Sequence, residues 1–125
     1  MIWTLLQVAL GGAIGASGRF LAGHAALRLV GNGFPWATLA VNVLGSFAMG
    51  MVAVYLAERG LMRAAPFLMT GILGGFTTFS AFSLDVVLMM QRAEVGLAAG
   101  YSAASVLLSV AGLAAGMALM RGILG

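Results

Sequence analysis

Gly71-Ile72-Leu73-Gly74-Gly75-Phe76-Thr77-Thr78-Phe79-Ser80-Ala81-Phe82 decides how this chain folds, because it sets three glycines and three hydroxyl side chains inside an apolar segment. A segment built to cross a bilayer is normally one helix, since lipid offers no partner to a backbone N–H or C=O. Gly-Gly followed by Thr-Thr invites that helix to open near Gly74–Thr78, freeing carbonyls and amides at membrane depth. Irregular backbone there is tolerated only where protein buries it or where it lines a wet path. The stretch reads as a place for an ion.

Everything around it points to a bilayer. Of 125 residues, 62% are hydrophobic and only 7% charged, against about 25% charged in soluble domains. Residues 1–18, 29–57, 64–84 and 95–120 hold no Asp, Glu, Lys or Arg, and a span needs about 20 apolar residues. The expected fold is an all-α membrane domain, residues 1–125, with four transmembrane helices at about 2–29, 35–56, 65–90 and 95–120, the third broken midway. Pro35 and Pro66 suit helix starts, where a missing N–H is not felt. The N-terminal segment has no basic start and runs on through Arg19, so it reads as a span and not as a cleaved leader. Absence of cysteine excludes disulfides, thiol catalysis and sulfur-ligated metals. The six arginines are scattered, with no basic run to suggest nucleic acid.

Charge placement bears on topology. With four spans, Arg59, Arg63 and Arg121 share one side, while Arg28 and Arg92 share the other, joined by Arg19 if it snorkels there. So even a balance specifies orientation weakly. It fits a chain that inserts both ways up and pairs head to tail; it also fits a small chain whose few loops carry no signal. Gly11 and Gly15, Gly96 and Gly100, and Gly112 and Gly116 repeat at four-residue spacing, a pattern that lets helices approach closely and reports packing, not chemistry. Four helices this short leave little room for a pathway within one chain, so oligomerisation is expected.

Ionisable chemistry is scarce. Asp85 follows the expected break, Glu58 and Glu94 sit at loop edges, and His24 lies near the end of helix one. No carboxylate pair, metal-binding His cluster or nucleophile with its base can be assembled, so an enzyme is not expected. Uncharged polarity, by contrast, falls in stripes. Thr38, Asn42 and Ser46 recur at i, i+4, i+8, as do Tyr101, Ser105 and Ser109, and Phe79 and Phe82 at i, i+3. Taken singly, Asn42 can glue two helices, the serines can bond back to their own helix, and the rings can simply pack. Together they describe a conduit for a small anion. Neutral N–H and O–H donors and the electropositive edges of phenyl rings replace water without a fixed charge that would trap the ion.

Three segments carry a family resemblance: Gly11-Gly12-Ala13-Ile14-Gly15-Ala16 with Arg19-Phe20, Thr38 through Phe47, and Gly74 through Phe82. They resemble the signatures of the Fluc (CrcB) family of bacterial fluoride channels, and the likeness covers essentially the whole chain. It implies a multi-pass protein of the bacterial inner membrane, forming an antiparallel, dual-topology homodimer with two pores that pass fluoride passively. It also implies a structural sodium ion held at the dimer centre by the backbone carbonyls of Gly74 and Thr77. Asn42, Phe79 and Phe82 match the family's pore residues, and Tyr101, Ser105 and Ser109 its polar track. Thr38 and Ser80 are further contributors, and Arg19 matches a basic residue at the wide mouth. Ala81 departs from the hydroxyl residue of many members. A small proton-coupled multidrug exporter shares the four helices but wants a Glu in helix one, and residues 1–18 contain none. A scaffold subunit would need the glycines but not the aligned donors.

Overall fold

The computed structural model describes residues 1–125 and is helical throughout, with no strand. Four segments are long and apolar enough to span a membrane: Ile2–Val30, Trp36–Glu58, Met62–Gln91 and Val95–Leu124. The shortest has 23 residues, which at about 1.5 Å per residue exceeds a hydrocarbon core of about 30 Å. The chain is a multi-pass membrane protein. Helices α1 (Ile2–Val30), α2 (Trp36–Glu58) and α5 (Val95–Leu124) are continuous. The third span is composite: a 3₁₀ turn at Met62–Ala64, a π-helical stretch at Pro66–Leu73, then the short α3 (Gly74–Phe76) and finally α4 (Phe79–Gln91). Helix ends lie close to the expected ones, except that α5 runs on to Leu124, with Arg121 in its last turn. A cation there complements the carbonyl end of the helix dipole.

The cause of the irregularity differs from the sequence expectation. Gly74 is fully helical, at φ −64° and ψ −37°. The chain leaves helical geometry at Thr77 (φ −85°, ψ 158°) and Thr78 (φ −151°, ψ 122°) instead. β-Branched threonines favour extended backbone, whereas the glycines serve contact. A Cβ on Gly75 would meet the Gly12 carbonyl oxygen at 2.8 Å and the Ala16 nitrogen at 3.2 Å.

Packing divides the spans into two pairs: α1 lies along Pro66–Phe76, and α2 along α5. Both seams are built on missing side chains. A Cβ on Gly11 would come within 2.9 Å of Gly71 Cα, and one on Gly116 within 3.2 Å of the Met51 nitrogen. The expected packing role of Gly96 and Gly100 is not met within the chain: both face open space, because α5 meets α2 along another face. Only 13 of 125 residues are buried, so no core of the water-soluble kind exists. The small cluster Met89, Ala98 and Tyr101, flanked by Phe34, Phe82 and Val86, fixes α4 to α5. The remaining apolar surface requires lipid or protein as its neighbour.

Candidate functional site

Asn42, in the first third of α2, is hydrogen-bonded twice to the backbone of Thr78: its Nδ2 donates to the Thr78 carbonyl at 2.9 Å, and the Thr78 N–H donates to its Oδ1 at 2.7 Å. A side-chain amide thus stands in for the helical ladder at the point where the ladder stops. Thr78 also caps α4, its Oγ1 accepting from the Ala81 N–H at 3.2 Å. Thr77 Oγ1 donates to the Leu73 carbonyl at 3.0 Å, and Arg19 Nε donates to the Gly75 carbonyl at 3.2 Å.

Counting backbone groups then shows what is left over. In an unbroken helix the Thr78 N–H would bond the Gly74 carbonyl, but Asn42 holds it. The Gly74 carbonyl thus loses its helical partner, and no backbone N–H is bonded to the carbonyl of Thr77. These two oxygens are hard donors of the kind an alkali or alkaline-earth cation accepts. No cluster of three His, Cys, Asp or Glu side chains offers an alternative metal site.

Beside the discontinuity lies a cavity of about 310 Å³, lined by Asn42, Ser46, Thr77, Thr78, Phe79, Phe82, Ser105 and Ser109 among others. The Phe79 and Phe82 centroids are 5.5 Å apart, their planes inclined at 59°. Ser105 is only 6% exposed, yet its Oγ has no hydrogen-bond partner. A buried polar atom left unpaired is costly, and this hydroxyl keeps its donor and acceptor capacity unused. The structure therefore gathers Asn42, Phe79, Phe82, Ser105 and Ser109 around one space.

The other expected residues fall elsewhere. Arg19 and Thr38 line a second cavity of about 360 Å³ together with Phe20, His24 and Thr78, so Thr78 borders both spaces. Thr38 also borders a third, of about 310 Å³, with Asp85 and Arg92 beneath the Gly31–Pro35 turn. Tyr101 is buried between Phe34 (5.4 Å) and Phe82 (5.2 Å), and its hydroxyl donates to Asp85 Oδ2 at 2.9 Å. That O–H is already engaged. Ser80 is exposed, its Oγ 3.4 Å from Thr78 Oγ1, outside these cavities. Sequence reasoning missed two participants. Thr78 was legible as a helix N-cap ahead of an apolar run; Asp85, 16 residues from Tyr101, left no local signal.

Comparison with known proteins gives one answer. The family model described as CrcB-like protein, Camphor Resistance (CrcB), matches residues 6–117. A protein of Cereibacter sphaeroides named Fluoride-specific ion channel FluC is 62% identical over 122 residues, covering 98% of each chain. Proteins of the same name from a Ruegeria species and from Caulobacter vibrioides are 54% identical over 125 residues and 50% over 120, covering 99% and 94% of each chain. Those are names of ion channels and not of enzymes, in line with the missing catalytic groups. The resemblance read from the three segments is borne out: this chain belongs to the CrcB family.

Proposed function

We propose that this protein is a passive fluoride channel of the bacterial inner membrane, working as an antiparallel homodimer with two pores. The observation that carries the reading is the shared cavity, where an unpaired, buried Ser105 hydroxyl stands with Asn42, Ser109 and the two phenyl rings. An anion arrives through the wider space beside Arg19, whose charge raises its local concentration. It passes Thr78 into the smaller cavity and exchanges water for the second Asn42 N–H, the serine O–H groups and the ring edges of Phe79 and Phe82. The N-terminal end of α4 borders the same space and adds its partial positive charge. Neutral donors bind the ion without holding it, which conduction requires. Fluoride then follows its electrochemical gradient.

A single chain leaves this site half made. Phe79 is 76% exposed, and Gly74 lies at the surface with its carbonyl released by Thr78. A second copy placed against the discontinuity would cover the ring and double the free carbonyls from two to four. Gly74 and Thr77 of both copies would then hold the structural sodium ion, whose charge satisfies main-chain oxygens that lipid cannot.

The test is anion efflux from liposomes holding purified protein, with an ionophore to clamp the voltage. Fluoride release without chloride release is expected. Chloride release at a similar rate, or silence toward both, would refute the channel, and proton movement driven by a lipophilic cation would favour the exporter. Extended dialysis into sodium-free buffer should impair flux, with lithium and potassium substituting poorly. Indifference to the cation would remove Gly74 and Thr77 from that role.

A further inference from the structure

We propose that Arg19 is a positioning residue that caps the cut carbonyl end of the third span and so fixes the discontinuity in place, in addition to any attraction its charge exerts on an arriving anion. Its Nε–H bonds the Gly75 carbonyl across 56 residues of sequence. In a continuous helix that carbonyl would receive the Phe79 N–H. Arg19 thus satisfies a carbonyl on one side of the discontinuity, while Asn42 takes the Thr78 donor on the other. The helical bond from Thr78 to Gly74 is lost because Asn42 holds its donor, and the Gly75 carbonyl keeps a strong partner at the cut because Arg19 supplies one. Placement is rigid, because α1 is pressed on the span at Gly15, whose Cβ would fall 2.8 Å from the Phe76 nitrogen. The guanidinium also meets the carbonyl end of the Pro66–Phe76 half-helix, where a cation is stabilised.

The choice of nitrogen separates this role from simple attraction. The bond is made by Nε, so lysine would carry the same charge but place a methylene where that donor stands. Hydrogen exchange at residues 74–82 of the full-length protein in lipid nanodiscs tests the idea on wild type, R19K and R19Q. Exchange there is expected to accelerate about tenfold or more in both variants, the fold-change carried by a hydrogen bond from a charged donor, with α5 unaffected. Wild-type exchange in R19K would overturn the proposal, as would acceleration spread equally through α5, which would mean general loosening. A second arm uses fluoride efflux and rests on the channel reading. R19K should lose flux as R19Q does, and saturating fluoride should rescue neither; a residue that acts only by concentrating anions would spare R19K and let R19Q recover. Wild-type protein that passes no fluoride would refute the channel while the exchange arm still judged Arg19.

Discussion

Replacing Gly15 by alanine pits two backbones against each other. The new Cβ would stand 2.8 Å from the Phe76 nitrogen and 2.9 Å from the Ile72 carbonyl carbon, with Ile72 O closer still, whereas ordinary contact starts at 3.4 Å. No side chain can rotate out of the way, so α1 must retreat by more than about 0.6 Å, the difference between 2.8 and 3.4 Å, because the Ile72 O contact is the tighter one. Arg19 lies one turn along the same face and moves with it. Its bond to Gly75, 3.2 Å long, would stretch past about 3.8 Å, beyond hydrogen-bonding range. Overpacking costs about 1–3 kcal/mol, and a bond from a charged donor contributes about 1.5–3 kcal/mol. Since one retreat relieves the first by sacrificing the second, about 3 kcal/mol is the working figure, roughly a hundredfold in an equilibrium. Gly12→Ala is the control, because a Cβ at Gly12 meets nothing within 4 Å. Detergent-titrated unfolding followed by circular dichroism, with fluoride efflux in parallel, should show Gly15→Ala destabilised and slow, and Gly12→Ala close to wild type. Equal behaviour of the two variants would refute the reasoning about the seam.

Three further outcomes follow from the same geometry. Asn42→Ala removes both bonds to Thr78 and leaves two polar groups to water at about 1 kcal/mol or more each; exchange of the Thr78 amide should rise about thirtyfold, and an unchanged rate would deny the clamp. Phe79→Ile or Phe82→Ile should cut fluoride flux at least tenfold, each tenfold being about 1.4 kcal/mol, while the dimer survives in size-exclusion chromatography; full flux in both would remove the rings from the path. Ser105→Ala should leave stability unchanged or slightly raised, because the hydroxyl it deletes is buried and unpaired, yet slow efflux; a clear loss of stability would mean that Oγ has a partner after all.

Spans and stripes were legible because their signals are periodic. Charge gaps of 18 or more residues mark each crossing, and i, i+4 spacing aligned Asn42 with Ser46 and Ser105 with Ser109, which meet at one cavity. Roles that depend on a distant partner were not legible. Asn42 read as a donor to an ion or a glue between helices, and the structure shows both ends of its amide on the Thr78 backbone. Gly74–Thr78 read as the opening, and within it the threonines make the break while Gly75 admits a neighbour, Gly12, that lies 63 positions away in the numbering. Tyr101 read as a free hydroxyl because Asp85 reaches it only once α4 and α5 have packed.

Two threonines out of helical register do more than interrupt a span, because cutting a helix exposes both of its polar ends at one level. On the N-terminal side, the last carbonyls of Pro66–Phe76 are cut off from their helical amides; that of Gly75 takes Arg19 and that of Gly74 loses Thr78 to Asn42. On the C-terminal side, the first amides of α4 have no carbonyl one turn back, and they border the cavity that holds Ser105. The first end favours positive charge and the second negative. Sites for a cation and for an anion can therefore lie within a few residues of each other without an ionisable side chain between them, since main-chain dipoles sort the charges. A carboxylate or a lysine at this depth would do the same sorting at a desolvation cost of several kcal/mol. That economy explains how a chain with only nine charged residues can present opposite polarities side by side, provided Asn42 and Arg19 satisfy the Thr78 and Gly75 groups that the cut leaves bare.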